Sequence, residues 1–223
     1  MRPNHPGRLG LLTFVVSATI GALTPANGQS QAPRLDRPPV PSVGDTFTYR
    51  WNAEIVAFTY LGRDGDLNCY SAKVSDARQS TVCNTSEDNT VRRVGSWEPV
   101  TFTPYLPMLS FPLFVGKRWE LSYSVQRGSQ GSGPSAAATG GYLHELNVNA
   151  NRIRKGNVVS YEKVTGPAGT FDAFKIEGTD VPWGKSQALS IVYYYSPETG
   201  VVKYDSQYLE GSHYELVNYS RAK

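Results

Sequence analysis

Apolar and polar residues alternate with a period of two through most of this chain, in short runs closed by Gly, Pro, Asn or Asp. That period places successive side chains on opposite faces of a strand. Strands are predicted at Thr46–Trp51, Ile55–Leu61, Leu67–Val74, Gln79–Cys83 and Val91–Val94. Pro99–Pro112 carries four prolines and reads as an extended crossing segment. A second series follows at Trp119–Gln126, Tyr142–Ile153, Val158–Val164, Phe171–Gly178, Ala188–Tyr195, Val201–Gln207 and Tyr214–Tyr219. Within Tyr142–Ile153, Leu146, Val148 and Ala150 alternate with Asn147, Asn149 and Asn151, as in a half-buried strand. Arg63–Asp66 and Ser196–Gly200 are turns, and Arg127–Gly141, rich in Gly, Ser and Ala, is a loop. No amphipathic helix longer than two turns is predicted, so the fold class is all-β.

The series carries an echo. Val43-Gly44-Asp45-Thr46-Phe47 matches Val115-Gly116-Lys117-Arg118-Trp119, and Trp51 follows Phe47 at the spacing by which Tyr123 follows Trp119. Two readings stand open: two related half-domains with a sub-boundary near residue 110, or chance likeness between turns that lead into aromatic strands.

The first residues break the β pattern. Arg2 and Arg8 precede an apolar stretch, Leu9–Leu23, that is shorter than the about 20 residues a membrane span needs. Positive residues before it and small residues after it read as a cleaved signal peptide, residues 1–28. A Pro-rich linker is expected over 29–41 and one β-rich domain over 42–223. The expected address is periplasmic or secreted, with no integral membrane segment after cleavage. The processed chain is long enough to bury roughly 70% of its unfolded surface without a metal or disulfide scaffold.

The whole chain has a formal net charge of +3, of which the leader holds Arg2 and Arg8, so the remainder is close to neutral. A near-neutral protein has no field to hold a phosphate backbone, which excludes nucleic acid as the expected partner. Cys69 and Cys83 are the two cysteines. In an exported chain they are expected to pair, across a hairpin. Their spacing is too wide for a redox motif, and no His lies near enough to complete a zinc site. No cysteine precedes Cys69 to carry a lipid anchor.

Catalytic patterns fail on inspection. His144 and His213 lie far apart in sequence, and no Gly-x-Ser-x-Gly elbow occurs. Gly178 to Ser186 mimics a phosphate loop, but its glycines are one residue too far apart and no helix follows. Asp64, Asp66 and Asn68 alternate in a calcium-like way without a distal Glu. Carboxylates such as Glu162, Asp172 and Glu177 cannot be placed in a hydrolytic pair from sequence. No catalytic, cofactor-binding or metal-ligating residue is assigned. The aromatics remain: Trp51, Trp119, Tyr123, Phe174, Trp183, Tyr193 and Tyr195 are the candidate lining of a pocket, though strands also use such residues simply to fill cores.

Two stretches are distinctive: Gly166-Pro167-Ala168-Gly169-Thr170-Phe171-Asp172-Ala173-Phe174-Lys175-Ile176 and Tyr194-Tyr195-Ser196-Pro197-Glu198-Thr199-Gly200-Val201-Val202-Lys203-Tyr204. With Phe111-Pro112-Leu113 and Val115–Trp119 they resemble motifs of exported Gram-negative proteins of unknown function. The resemblance covers Phe111 to the C-terminus well and the N-terminal half poorly. It implies an antiparallel sheet curved into an open half-barrel or clam, as in lipoprotein-localisation carriers, and transfers no catalytic residue. The expected function is a non-enzymatic envelope binding module for a lipid or other amphiphile. The alternatives are a structural or assembly protein with an envelope partner, and a hydrolase with an unrecognised carboxylate site.

Overall fold

The computed structural model describes residues 33–96, 99–127, 151–182, 188–206 and 213–222. Twelve strands run through them: β1 Thr46–Trp51, β2 Glu54–Asp64, β3 Leu67–Ser75, β4 Arg78–Asn84, β5 Thr90–Gly95, β6 Val100–Leu106, β7 Arg118–Arg127, β8 Asn151–Gly166, β9 Gly169–Pro182, β10 Leu189–Ser196, β11 Gly200–Ser206 and β12 His213–Ser220. No helix occurs among the described residues. Each strand pairs antiparallel with its neighbours in the chain, and β1 pairs with β12. The expected antiparallel curved sheet is present, and its curvature continues past the half-barrel to a closed barrel. Pairing β1 with β12 satisfies the two edge strands that an open form would leave exposed.

The crossing segment expected over Pro99–Pro112 is in part a strand, β6. Val100, Phe102 and Leu106 alternate onto the inner face and join Tyr123 and Val125 in one buried cluster. Pro104 donates no ladder bond, and the β5–β6 register accordingly shifts between Thr90 and Arg92. Residues 142–150, where the alternation is clearest, lie outside the described residues. Both distinctive motifs are hairpin turns, with Gly169 at φ 127° and Gly200 at φ 82°.

The echo has a structural counterpart. Gly44 and Gly116 adopt φ 93° and 92°. Gly44 N–H donates to Tyr60 O on β2, Asp45 N–H to Ser42 O, and Tyr60 N–H to Asp45 O, at 2.9, 2.9 and 2.8 Å. Gly116 N–H donates to Val158 O on β8, Lys117 N–H to Phe114 O, and Val158 N–H to Lys117 O, at 2.8, 3.0 and 2.9 Å. The same turn thus opens β1 and, six strands later, β7.

An up-and-down path gathers the starts of odd strands and the ends of even strands at one rim. Several segments pack there. Asn89, in the β4–β5 turn, donates from Nδ2 to Leu109 O and accepts at Oδ1 from Leu109 N–H, at 3.0 and 2.8 Å. Leu109 and Leu113 are buried, and Leu113 exchanges backbone bonds with Leu35. Asp45, buried at the head of β1, accepts from Ser42 N–H, Ala222 N–H and Arg221 Nη1, at 2.9, 2.7 and 2.7 Å. Burial alone would raise its carboxyl; these donors outweigh that and hold it below its ordinary range.

Cys69 and Cys83 face each other directly across β3 and β4 and are bonded. They point outward, since their neighbours Tyr70 and Val82 line the interior. Arg92, opposite Cys83 on β5, reaches Asp64 on β2 at 2.5 Å and so spans the bridge. The disulfide closes a short loop, for which the chain-entropy model gives about 3 kcal/mol. Reduction, or the pair Cys69→Ser and Cys83→Ser, is expected to lower the urea unfolding free energy by about that amount without unfolding the barrel. Urea melts with and without reductant measure it; an unchanged midpoint would show that the bond is dispensable.

Candidate functional site

The barrel interior is filled unevenly. On the side of β8 to β10, Val158, Phe174, Ile176, Ile191, Tyr193 and Tyr195 close on Leu109 and Leu113 as a continuous core. On the side of β1 to β6, completed by β11 and β12, a cavity of about 250 Å³ remains.

Inward phase builds its wall. Phe47, Tyr49 and Trp51 alternate with Thr48 and Arg50 along β1, and Phe58 and Tyr70 continue the wall on β2 and β3. Tyr193, Tyr204 and Tyr214 sit in register on β10, β11 and β12, and their rings stack at 6.4 and 4.7 Å between centroids. Trp51 carries the ladder onto β1, 5.4 Å from Tyr214. Cross-strand aromatic pairs of this kind stabilise a sheet and form a smooth apolar surface. Val82, Val100, Phe102 and Leu106 complete the far side.

The polar groups are few and polarised along the barrel. Asp88, in the β4–β5 turn at the first rim, accepts from the Tyr195 hydroxyl at 3.0 Å. It holds φ 60°, a left-handed conformation that Asp and Asn tolerate better than most residues. Burial, opposed only by the Tyr195 bond, pushes its carboxyl up to about 6. The titratable groups around it are Tyr49, Tyr70 and Tyr195, each pushed well above the ordinary tyrosine value by burial and by the Asp88 charge. Thr199 and Asn84 lie at the same rim, and their Oγ1 and Oδ1 have no hydrogen-bond partner among the described residues. Arg93 also lines the cavity, opposite Val82 on β4 and about 7 Å further along the barrel than Asn84. Arg221 lines it at the first rim, its charge held by Asp45.

A second polar cluster is buried between β7, β8 and β9. Asp180 accepts from Arg152 Nε at 2.7 Å, from Arg154 Nη2 at 2.6 Å and from the Tyr123 hydroxyl at 2.5 Å. Burial alone would raise its carboxyl, but Arg154 and Arg152 more than offset that and hold it below its usual range. Arg154 also donates to Met108 Sδ at 2.6 Å, and Met108 lines the cavity. The cluster therefore fixes a piece of the cavity wall.

Of the residues nominated from sequence, Trp51 lines the cavity. Trp119 lies over Gly156, where a Cβ would come within 2.2 Å of the indole. Phe174 is in the core, Tyr123 bonds Asp180, Tyr193 donates to Met108 O and Tyr195 to Asp88. Trp183 lies outside the described residues. Tyr49, Tyr70, Tyr204, Tyr214 and Asp88 were not nominated. The inward phase of β1 pointed to Tyr49; nothing local pointed to Asp88, because a turn folded over a barrel rim has no sequence period.

The rejected chemistry stays at the surface. His213 Nδ1 meets Asp205 Oδ1 at 2.5 Å beside Lys203, half-exposed. Asp172 pairs with Lys163, Glu177 with Lys175 and Asp66 with Arg63. His144 lies outside the described residues. No group of three or more His, Cys, Asp or Glu among the described residues could hold a metal ion.

No protein-family model matches the chain, and no curated protein matches it. Solved structures do. The hypothetical lipoprotein YmcC of Escherichia coli K12 matches with a TM-score of 0.50 at 9% identity, over 85% of this chain and 93% of its own. That likeness is one of fold alone. A candidate exported protein of Bacteroides fragilis with a YmcC-like fold matches at 12% identity over 84% of this chain and 100% of its own, with a TM-score of 0.37. A candidate lipoprotein of Parabacteroides distasonis matches at 13% identity over 86% and 100%, with a TM-score of 0.33.

A carboxyl raised on folding binds its proton more tightly in the folded state, so it lowers stability as pH rises from the unfolded value of 3.8 to about 6. Asp88→Asn keeps the left-handed backbone and removes the buried charge. It is expected to raise the unfolding free energy at pH 8 by on the order of 2 kcal/mol, allowing for partial exposure, and to change little at pH 4. Urea melts at both pH values test this. An equal effect at both would remove the buried-carboxylate account.

Proposed function

We propose that this barrel is a non-enzymatic binding module for an amphiphile, acting in the cell envelope after export. The observation that carries the reading is the aromatic-walled interior cavity with its few polar groups gathered toward its ends. Such a site holds a hydrocarbon segment by burial and orients it by a small number of hydrogen bonds. The outer face supports the same reading. Its strands carry ion pairs, Arg50–Glu215, Lys155–Glu120, Lys175–Glu177 and Lys203–Asp205. A barrel that sits in lipid has the reverse arrangement, with an apolar outer band and a polar interior. On this reading the apolar partner sits inside the barrel. The envelope setting rests on the signal-peptide pattern, and the description of the Escherichia coli fold relative as a lipoprotein agrees with it.

The chain expressed with its leader and purified from periplasm without detergent is expected to carry a discrete adduct in native mass spectrometry, removable by organic solvent. The stripped protein is expected to bind decyl-chain amphiphiles with a change in tryptophan fluorescence, since Trp51 lies in the wall. Val82→Phe, which adds volume inside the cavity, is expected to weaken that binding at least tenfold while leaving the urea midpoint within the range of ordinary overpacking. Absence of both the adduct and any decyl-chain binding would sink the reading.

A further inference from the structure

The amphiphile reading leaves open what the polar end of the ligand is. The cavity's own chemistry narrows it. At the first rim three polar side chains line the cavity: Asp88 with its carboxyl, and Thr199 and Asn84, whose Oγ1 and Oδ1 can each accept a hydrogen bond. Thr199 is 5% exposed, and its hydroxyl has no partner among the described residues. A buried polar atom without a partner is destabilising, so two of them at the rim that carries the part-buried Asp88 carboxyl leave room for a hydrogen-bonding group from outside the described residues.

The charge balance points the same way. Asp45 and Asp180 are each met by arginine. Asp88 is met by the Tyr195 hydroxyl, and no cation among the described residues contributes to its environment. Arg221, at the same rim, is committed to Asp45 and to Glu198 O. Arg93 belongs further along the barrel. Around Asp88 the wall is aromatic, with Tyr49 and Tyr70 close enough to feel its charge. Ring faces attract cations and not anions.

We propose that the cavity takes an amphiphile with a primary ammonium headgroup, seated at the first rim with its charge against Asp88 and its N–H donors toward Thr199 and Asn84, and its hydrocarbon chain along the aromatic wall. The proposal rests on the amphiphile reading of the same cavity. An ammonium has three donors and no acceptor, and the Asp88 carboxylate, Thr199 Oγ1 and Asn84 Oδ1 can each accept from it. A carboxylate or phosphate headgroup would place like charge beside Asp88. A hydroxyl headgroup would satisfy an acceptor but leave the carboxylate without a counter-charge.

The test uses the processed, disulfide-bonded chain, stripped of adducts, and four probes of equal chain length at pH 7.5: decylamine, decyltrimethylammonium, decanol and decanoate. Dissociation constants come from calorimetry and from tryptophan fluorescence. Decylamine is expected to bind at least tenfold more tightly than decanol, with decanoate weakest. Decyltrimethylammonium, a cation without N–H donors, is expected between decylamine and decanol. Asp88→Asn is expected to bring decylamine to within threefold of decanol. Thr199→Val is the second variant, should the first disturb the turn; it is expected to weaken decylamine more than decyltrimethylammonium. Decanol or decanoate binding as tightly as decylamine would overturn the ammonium assignment and leave the amphiphile reading standing. Decyltrimethylammonium binding as tightly as decylamine would overturn the primary-amine assignment. Failure of all four probes would remove the amphiphile reading, and this inference with it.

Discussion

The pairing of β1 with β12 is the constraint on which the rest of this structure depends. Closure turns one face of the sheet into an interior, and an interior has to be filled, bound or kept wet. Asp45 secures that closure chemically. Its carboxylate ties the head of β1 to Ser42 on one side and to Arg221 and Ala222, just past β12, on the other. The first and last described strands meet there, so one buried side chain joins the two ends of the meander.

One turn recurs in the barrel, and the interior is filled differently on its two sides. The same Gly-led turn opens β1 and β7, with matching φ angles and matching bonds to β2 and β8. A barrel with two equivalent halves would have two equivalent inner walls. The segment between β6 and β7 breaks that equivalence. It carries Leu109 and Leu113 into contact with β8, β9 and β10 and completes a core there. No described segment does the same for β1 to β6, and the cavity lies on that side. The cavity is what remains when one plug serves a two-sided barrel.

Much of this was legible in the alternation of the chain. Period two identifies strands regardless of what they pair with, and a facing cysteine pair follows from two strands joined by a short turn. Pairings between distant elements were not legible. Closure joins residue 46 to residue 220, and nothing local reports it. Nor was the burial of Arg152 and Arg154 legible, because their counter-charge, Asp180, sits on another strand and enters no local pattern. Of the aromatics named from sequence, Trp51 lines the cavity, while Tyr123, Tyr193 and Tyr195 spend their hydroxyls on Asp180, Met108 and Asp88.

Three acidic residues at the inner wall and its rim make the strongest contrast in the molecule. Asp45 and Asp180 are surrounded by donors and cations, and both are held below the ordinary carboxylate range. Asp88 has one neutral donor and is held above it. If its position served only the fold, a neutral residue accepting from Tyr195 would do so without the penalty of a buried charge, and Asn would keep the backbone geometry. Structural acids in this barrel are neutralised by the barrel itself. Among the described residues Asp88 has no cationic partner, and Thr199 Oγ1 and Asn84 Oδ1 at the same rim have no hydrogen-bond partner; an acid so placed costs stability in the folded chain, and it is this cost that the proposed ammonium headgroup would offset.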